Sequence, residues 1–345
     1  MQMPKTIRNK IARNVAVSLI VYLLPILLMF IYFHYTGRHP WEERLVKPKP
    51  SSLNTAFRIL NSWGLPVIMI IIGTIEWVLG LHHKKWDKNE KMLDALSFLF
   101  PRLVSNPFIA YFSLQILPHL FPSARNIFTW VPFWWGFFII CVFVDLTEYW
   151  YHRLHHEVPF LWRFHRSHHS AAYMGMSVAF RTNYINQLLL SPIYLIAALV
   201  YLGLGNSLLL FISIRTLITV AAHSSIPWDK PLYCRKWLHP VAWLLERTIS
   251  TPATHHAHHA ASNADGIGNY NGNFANAFFV WDILFKTSII TRKYPPEYGL
   301  RHYMHEEWYV QYFWPIVKSR KKDSELSNGA KVFDGEVDTE RIPQP

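Results

Sequence analysis

Five stretches of the chain run long without a charged residue. Arg13 and Arg38 enclose 24 such positions, Arg58 and Glu76 enclose 17, Arg102 and Arg125 enclose 22, Arg125 and Asp145 enclose 19, and Arg181 and Arg215 enclose 33. A helix needs about 20 apolar residues to cross a hydrocarbon layer of about 30 Å. The pattern therefore predicts an all-α integral membrane protein with four to six membrane helices in hairpins. The first helix falls over roughly 15–35, and its apolar run is too long for a signal-peptide core. A Pro-rich loop follows over 38–58, then a second helix over 63–81, with Glu76 near its end and able to reach the interface. The run 107–121, between Pro107 and Pro122, is short for a full span. A further helix starts near 127 and carries on past Asp145 and Glu148 to His152. The 33-residue run would be about 50 Å long as one helix, and Gly203, Gly205 and Asn206 break it into a second hairpin that returns at His223.

Orientation follows from the basic N-terminus, where Lys5, Arg8, Lys10 and Arg13 stand with no acid. That end stays in the cytoplasm by the positive-inside rule. The short connection Pro122–Asn126 supports a tight hairpin, which brings His152 out on the cytoplasmic side. From 223 to 317 no charge-free run is long enough to span, so this segment is expected as a cytosolic helical cap. The domains expected are membrane helices and loops over 1–126, a second unit over 127–317 that holds most of the histidines, and a disordered polar tail over 318–345.

Composition agrees with that reading. The chain of 345 residues is 51% hydrophobic and only 16% charged, against about 25% charged in soluble domains. The net charge of +12 is spent on loops that flank apolar runs, so nucleic-acid binding is the weaker explanation and none is expected. Two cysteines, Cys141 and Cys234, exclude a disulfide framework and thiolate metal chemistry. Arg215 is the one cation placed so that it falls either inside the membrane, as a functional site, or at its edge.

Histidine carries the chemistry. Ten of the 19 histidines fall in 152–169 and 255–259. The spacing His-x-x-His-His occurs three times, at His152/His155/His156, His165/His168/His169 and His255/His258/His259. Chance at this composition gives roughly 0.06 occurrences. Residues i, i+3 and i+4 share a helix face, so each triad can aim two or three imidazoles at one point. Neutral imidazole suits Fe, Zn, Cu and Ni. So many ligands exceed one tetrahedral zinc and suit two metals held together. A histidine pH sensor needs no repeated spacing. Single histidines elsewhere read as interfacial anchors. Asp145 and Glu148 lie seven and four residues before His152, on its helix face, and Asp145 is a candidate to accept a ligand's second ring N–H.

The segments DLTEYWYHRLHH, WRFHRSHH, TPATHHAHH and NGNFANAFFVWDILFKT, with His223 between the second and third, resemble the fatty acid hydroxylase/sterol desaturase superfamily of membrane di-iron enzymes. The resemblance covers about 145–287 in detail. It implies that His152 and His156, then His165, His168 and His169, then His223, then His255, His258 and His259 are metal ligands. It also implies two iron ions and O2 as co-substrate. The activity implied is hydroxylation or desaturation of a C–H bond in a fatty acyl, sterol or related lipid. His155 is extra to the first family box. A ligand often found just after the His223 position is missing, with His239 the nearest candidate. Lys286 stands where the family ending has Gly. Asp282, in that ending, is nominated with Asp145 as a partner behind the ligands. Apolar Trp, Phe and Tyr side chains are expected to line the lipid pocket.

No Gly-rich dinucleotide motif is present, so electrons are expected from a cytochrome b5-like or ferredoxin partner with its reductase, docking on basic loops. The membrane would be a bacterial inner membrane or the ER. The alternative class is a non-catalytic metal-binding membrane protein or a metal transporter. A transporter places ligands within spanning helices near the midplane, whereas here the triads follow the apolar runs in polar, Arg-containing sequence.

Overall fold

A computed structural model of the chain describes residues 64–79, 86–190, 192–300, 305–322, 324, 326 and 327, with isolated positions before residue 32. Apart from those isolated positions, the helix expected over 15–35 lies outside the described residues, as do the loop over 38–58 and the end of the tail. Among the described residues there are helices and two isolated bridges, Ala260–Tyr298 and Ser319–Ser327, with no strand.

The first described helix, α1 (Leu65–Val78), turns Val67, Ile70, Ile71 and Trp77 outward and buries Leu65, Met69 and Glu76. Glu76 does not reach an interface, as its place in the sequence suggested. It accepts from Met176 N at 2.9 Å, Ser224 Oγ at 2.7 Å and Ser225 N at 2.8 Å. A buried carboxylate needs such partners, and these tie α1 to the loops beside the histidines.

Next, α2 (Lys88–Phe100) starts where Asp87 accepts from Glu90 N at 2.9 Å, a standard N-cap. The chain then stays helical to Leu120 through a π turn Pro101–Ser105, α3 (Asn106–Tyr111), a second π turn Phe112–Ile116, and α4 (Leu117–Leu120). Pro107 and Pro118 lack an N–H, and each ring presses on the carbonyl four residues earlier. Those carbonyls, of Leu103 and Leu114, lie inside the two π turns, where the wider coil leaves room. Thus 107–121 is the end of a longer helical path and not a separate short element.

Among the described residues two helices are long and apolar enough to cross a membrane: α5 (Phe133–Glu157, 25 residues) and α8 (Gly205–His223, 19 residues). Along α5 the positions Gly136, Ile140, Val144, Glu148 and His152 are buried at a spacing of four, so one stripe changes from apolar packing to chemistry as it leaves the apolar run. Gly136 lets α8 come close; a Cβ there would lie 2.8 Å from Ser207 Oγ. Val158 is extended before Pro159, because proline disfavours the α region in the residue before it. That break ends α5 and redirects the chain into α6 (Pro159–His169).

The expected hairpin in 182–214 is present: α7 (Ile193–Tyr201) and α8 meet through a turn in which Gly203 has φ of +102°. Short helices follow: α9 (Lys230–Cys234), α10 (His239–Thr248), α11 (Pro252–His258), α12 (Val280–Phe285) and α13 (Trp308–Phe313). None is long enough to span a bilayer. Ile140, Val144, Leu204, Leu208 and Phe211 form the core between α5 and α8. Leu146, Tyr149, Phe274, Phe279, Trp281 and Phe285 form a second core where α12 packs on α5. The packed chain also continues past the boundary expected at 317. Ser319 N donates to the Leu326 carbonyl at 2.9 Å, and Leu326 is buried with Phe164, Val310 and Trp314. One apolar residue in polar surroundings is enough to dock this stretch.

Candidate metal centre

Four elements converge to gather histidine. The end of α5 brings His152 and His156, α6 brings His165, His168 and His169, the last residue of α8 is His223, and α11 with the residue after it brings His255, His258 and His259. The start of α11 is fixed by a capping box between Thr251 and Thr254, which sets the helix phase.

The nine rings form two groups. His152, His156, His165, His169 and His258 make the first, and His168, His223, His255 and His259 the second; within each, one ring nitrogen per residue lies within 4.8 Å of all the others. Eight of the nine are buried. A single triad therefore does not serve one point, as the spacing suggested. On a helix, i+4 lies about 40° past i and i+3 about 60° short of it. So His165 and His169 face the first group while His168 faces the second, and His255 and His259 face the second while His258 faces the first. Each of these two boxes links both groups.

The hydrogen bonds fix the tautomers. His152 Nδ1 donates to the Phe274 carbonyl and His258 Nδ1 to the Gly272 carbonyl at 2.7 Å. In the second group His168 Nδ1 donates to the Arg181 carbonyl at 3.1 Å and His223 Nδ1 to the Thr219 carbonyl at 2.8 Å. A carbonyl only accepts, so each Nδ1 carries the proton and each Nε2 bears a lone pair. Yet His152 and His258 Nε2 lie 3.1 Å apart, and His168 and His223 Nε2 lie 3.5 Å apart. Neither pair has a proton to share. The Nε2 atoms of His156, His165, His169 and His259 are buried with no hydrogen-bond partner. Confronted lone pairs and orphaned acceptors fit a cation in each group, and an all-imidazole donor set suits a transition metal.

Electrostatics agree. His165, His168, His169, His255, His258 and His259 titrate well below the ordinary histidine value, first because burial strips water from the charged form and then because neighbouring imidazoles would repel a second charge. They are held in the neutral form that binds metal.

The other candidates stand apart. His155 Nδ1 bonds the Tyr151 carbonyl at 2.7 Å, and His239 Nε2 bonds the Tyr233 carbonyl at 3.1 Å; neither joins a group. His256 is held between Tyr298 Oη and the Ser224 carbonyl, both at 3.0 Å, and burial pushes it down to about 4. Asp145 and Asp282 touch no histidine, contrary to expectation. Asp145 accepts from Trp281 Nε1 at 2.7 Å and Phe278 N at 3.3 Å. Asp282 accepts from Phe274 N at 2.9 Å, Ala275 N at 2.8 Å and Thr287 Oγ1 at 2.6 Å. Backbone carbonyls occupy the positions behind the ligands, and Asp282 holds the strand of chain that carries one of them.

Sequence reasoning missed Arg181. It is buried, pairs with Glu90 and with Asp94 at 2.7 Å, and receives His168 on its own carbonyl. Burial alone would lower its pKa, but Asp94, Tyr173 and Glu90 outweigh that and raise it. The available signal was a lone Arg closing a long charge-free run.

A cavity of about 230 Å³ reaches both groups, touching His152, His165, His168 and His223. Its remaining wall is made by Tyr151, Arg181, Thr182, Asn186, Gln187, Arg215, Thr216, Thr219 and Asn276 together with Ala179, Phe180 and Val220, and more of its surface is apolar than polar. Of the aromatic side chains expected to line the pocket, Tyr151 and Phe180 do so, and the polar side chains beside them were not anticipated. Arg215 forms an ion pair with Glu148 between the two long helices, so it lies on the cavity wall and not in an exposed loop.

Among the described residues, an all-helical body with two helices apolar enough to span a membrane carries two buried imidazole groups suited to hold metal. Residues 137–287 match the family model for fatty acid hydroxylase, in agreement with the resemblance that the histidine boxes carry. Among curated proteins it is similar to alkylglycerol monooxygenase of Danio rerio, 26% identical over 264 residues, covering 68% of this chain and 52% of the relative. The Homo sapiens alkylglycerol monooxygenase is 25% identical over 245 residues, covering 68% and 48%. That of Xenopus tropicalis is 26% identical over 170 residues, covering 49% and 33%. The chain spans about half or less of the length of these relatives. No solved structure matches.

Proposed function

We propose that this chain is an O2-dependent lipid monooxygenase of the membrane, with the nine histidines holding two iron ions on the cytoplasmic side. The observation that carries the reading is the pairing of lone pairs in two adjoining groups beside one cavity. Iron bound there would supply O2 activation and oxidation of a C–H bond. The chain's own part is to hold the imidazoles neutral and in the Nδ1–H tautomer through the carbonyls of Phe274, Gly272, Arg181 and Thr219, and to shape what reaches them.

The cavity favours a lipid whose reacting carbon lies near an uncharged polar group. Besides the histidines its donors and acceptors are amides and hydroxyls, and both cations on the wall are already answered, Arg215 by Glu148 and Arg181 by Glu90 and Asp94. A carboxylate would compete with Glu148; an ether or free hydroxyl would not. The names of the relatives agree, since an alkylglycerol is such a lipid. Its alkyl chain would lie between α5, α8 and the bilayer, and hydroxylation is favoured over desaturation. Electrons would come from a cytochrome b5-like or ferredoxin protein. Metal transport is disfavoured because most ligands sit in short helices beside the two long ones, not within them.

The test is metal content and turnover together. Protein reconstituted anaerobically with Fe(II) is expected to hold about two metal ions per chain, and to consume O2 with an alkylglycerol more readily than with a fatty acid. His165→Ala and His258→Ala should lose both properties. Iron near zero in the parent chain, with zinc retained, rejects the oxygenase.

A further inference from the structure

Two helices away from the histidine groups turn apolar side chains outward. α10 buries Ala242 and Glu246 and exposes Val241, Trp243 and Leu244 to 46–55%. α12 buries Trp281, Asp282 and Phe285 and still exposes Val280, Ile283 and Leu284 to 39–43%. A helix on a water-facing surface does the reverse. The two are joined into one platform, since Phe279 N donates to the Thr248 carbonyl at 3.0 Å and Ser250 N to the Ala277 carbonyl at 2.8 Å. Trp237, 74% exposed, extends the face just before α10.

The charge on this platform has one sign. Arg235, Lys236 and Lys286 are exposed, while the acids of 229–249 and 278–290, namely Asp229, Glu246 and Asp282, are all buried. Its place in the fold is also set. Trp281 bonds Asp145 at 2.7 Å and Phe285 stacks on Tyr149 at 5.2 Å, so α12 is fixed against the part of α5 where the apolar run gives way to Asp145, Glu148 and His152. On a spanning helix that is the level at which hydrocarbon meets headgroups. Exposed tryptophan and aliphatic side chains ringed by Lys and Arg are what that layer accommodates.

We infer that the α10–α12 face is seated in the headgroup–acyl boundary of an anionic leaflet. Its apolar side chains enter the acyl layer, and Arg235, Lys236 and Lys286 meet lipid phosphates. The short helices therefore lie down on the bilayer beside α5 and do not project from it. The proposal stands on surface composition and helix placement, independently of the catalytic reading.

The test places a nitroxide on the full chain in lipid nanodiscs, in a Cys141→Ala/Cys234→Ser background, at Leu244→Cys, Ile283→Cys or, as a water-exposed control, Asp265→Cys. Accessibility to O2 and to a water-soluble nickel chelate is read by EPR. The expected result is an O2-to-nickel ratio several-fold higher at 244 and 283 than at 265. Adding phosphatidylglycerol to phosphatidylcholine discs should raise that ratio, and Arg235→Glu/Lys236→Glu should abolish the rise. Equal nickel access at the three sites overturns the proposal. So does nickel exclusion accompanied by dipolar broadening between labels of two chains, which assigns the face to a second copy. Exclusion that appears only on adding an acidic donor protein overturns it as well. No change with phosphatidylglycerol overturns the anionic preference.

Discussion

His168 donates its Nδ1–H to the backbone carbonyl of Arg181 at 3.1 Å, and the guanidinium of that same Arg181 is locked between Glu90 and Asp94 on α2. A residue outside both histidine groups thus connects a helix preceding the matched fatty acid hydroxylase region to a ring in the second group. Tyr173 Oη and Ser170 Oγ complete the shell around the guanidinium. Asp94→Asn removes one acid from a fully buried cation. Breaking such a pair costs about 3 kcal/mol, so thermal unfolding should come markedly earlier. Metal analysis should show the second group losing its ion while the first retains its own. Equal loss from both groups would mean that Arg181 supports the fold generally and does not position His168.

The partition of the histidines gives a second expectation. His155→Ala and His239→Ala should keep the parent metal content, because both rings are engaged with carbonyls away from the groups. His152→Ala and His168→Ala should each lose metal, the first from the five-ring group and the second from the four-ring group. Metal titration of each variant decides it. Loss in His239→Ala equal to that in His168→Ala would restore His239 as a ligand.

Acid should unfold the metal-free chain. The buried histidines of α6 and α11 titrate below their unfolded value of 6.5, so between the two values the unfolded chain binds more protons. Their contribution to stability is then full above 6.5 and is lost as the pH falls below it, by about 1.4 kcal/mol per pH unit for each proton taken up. Unfolding temperature in detergent should be flat from pH 8 to 7 and drop steeply below 6.5. Bound metal should move that drop to lower pH, since protons and metal compete for the same lone pairs. A metal-free profile flat to pH 5 would contradict the burial of these rings.

Lys286 occupies the position that ends α12, with φ of +57°. Left-handed backbone disfavours a side chain by about 1 kcal/mol, and glycine avoids that cost. The family ending's Gly, replaced here, is thus explained by local geometry. Lys286→Gly should raise stability by about 1 kcal/mol, measured as an increase in unfolding temperature. A decrease would show that the lysine makes a contact worth more than the strain.

The nine gathered histidines were legible because spacing on a helix is geometry that needs no partner: His152/His156 and His165/His169 must share a face wherever the helix lies. The hairpin at Gly203 was legible for a similar local reason. What the chain did not reveal was which face meets which. The split of each triad depends on the Val158–Pro159 break and on how α11 enters between α6 and α8. The acids were misassigned because a histidine's second nitrogen takes whichever acceptor the packed chain brings to it. Here those were main-chain carbonyls of Phe274, Gly272, Arg181 and Thr219, which carry no side-chain signature. The polar side chains of the cavity wall were missed for a related cause. Thr182, Asn186, Thr216 and Asn276 are scattered, unremarkable residues until α5, α8 and their loops bring them to one wall.

The ion pair of Glu148 on α5 with Arg215 on α8 allows the substrate reading to be tested from the protein side. With both partners present the wall is neutral, and a lipid carboxylate gains nothing from Arg215 that Glu148 does not already supply. Glu148→Gln leaves the guanidinium facing the cavity without its counter-charge. Two effects should follow. Stability should fall by about 3 kcal/mol, as when one member of a buried pair is removed. The free cation should also accept a carboxylate, and a hydrogen bond to a charged group is worth about 1.5 kcal/mol or more. The ratio of fatty acid to alkylglycerol affinity should therefore rise roughly tenfold. Adding Arg215→Gln to that variant should recover most of the lost stability and return the ratio to that of the parent, because the wall is then uncharged again. Binding measured by isothermal titration in detergent separates these cases. An unchanged ratio in Glu148→Gln would place the polar end of the lipid away from this wall, even if the metal content remained intact.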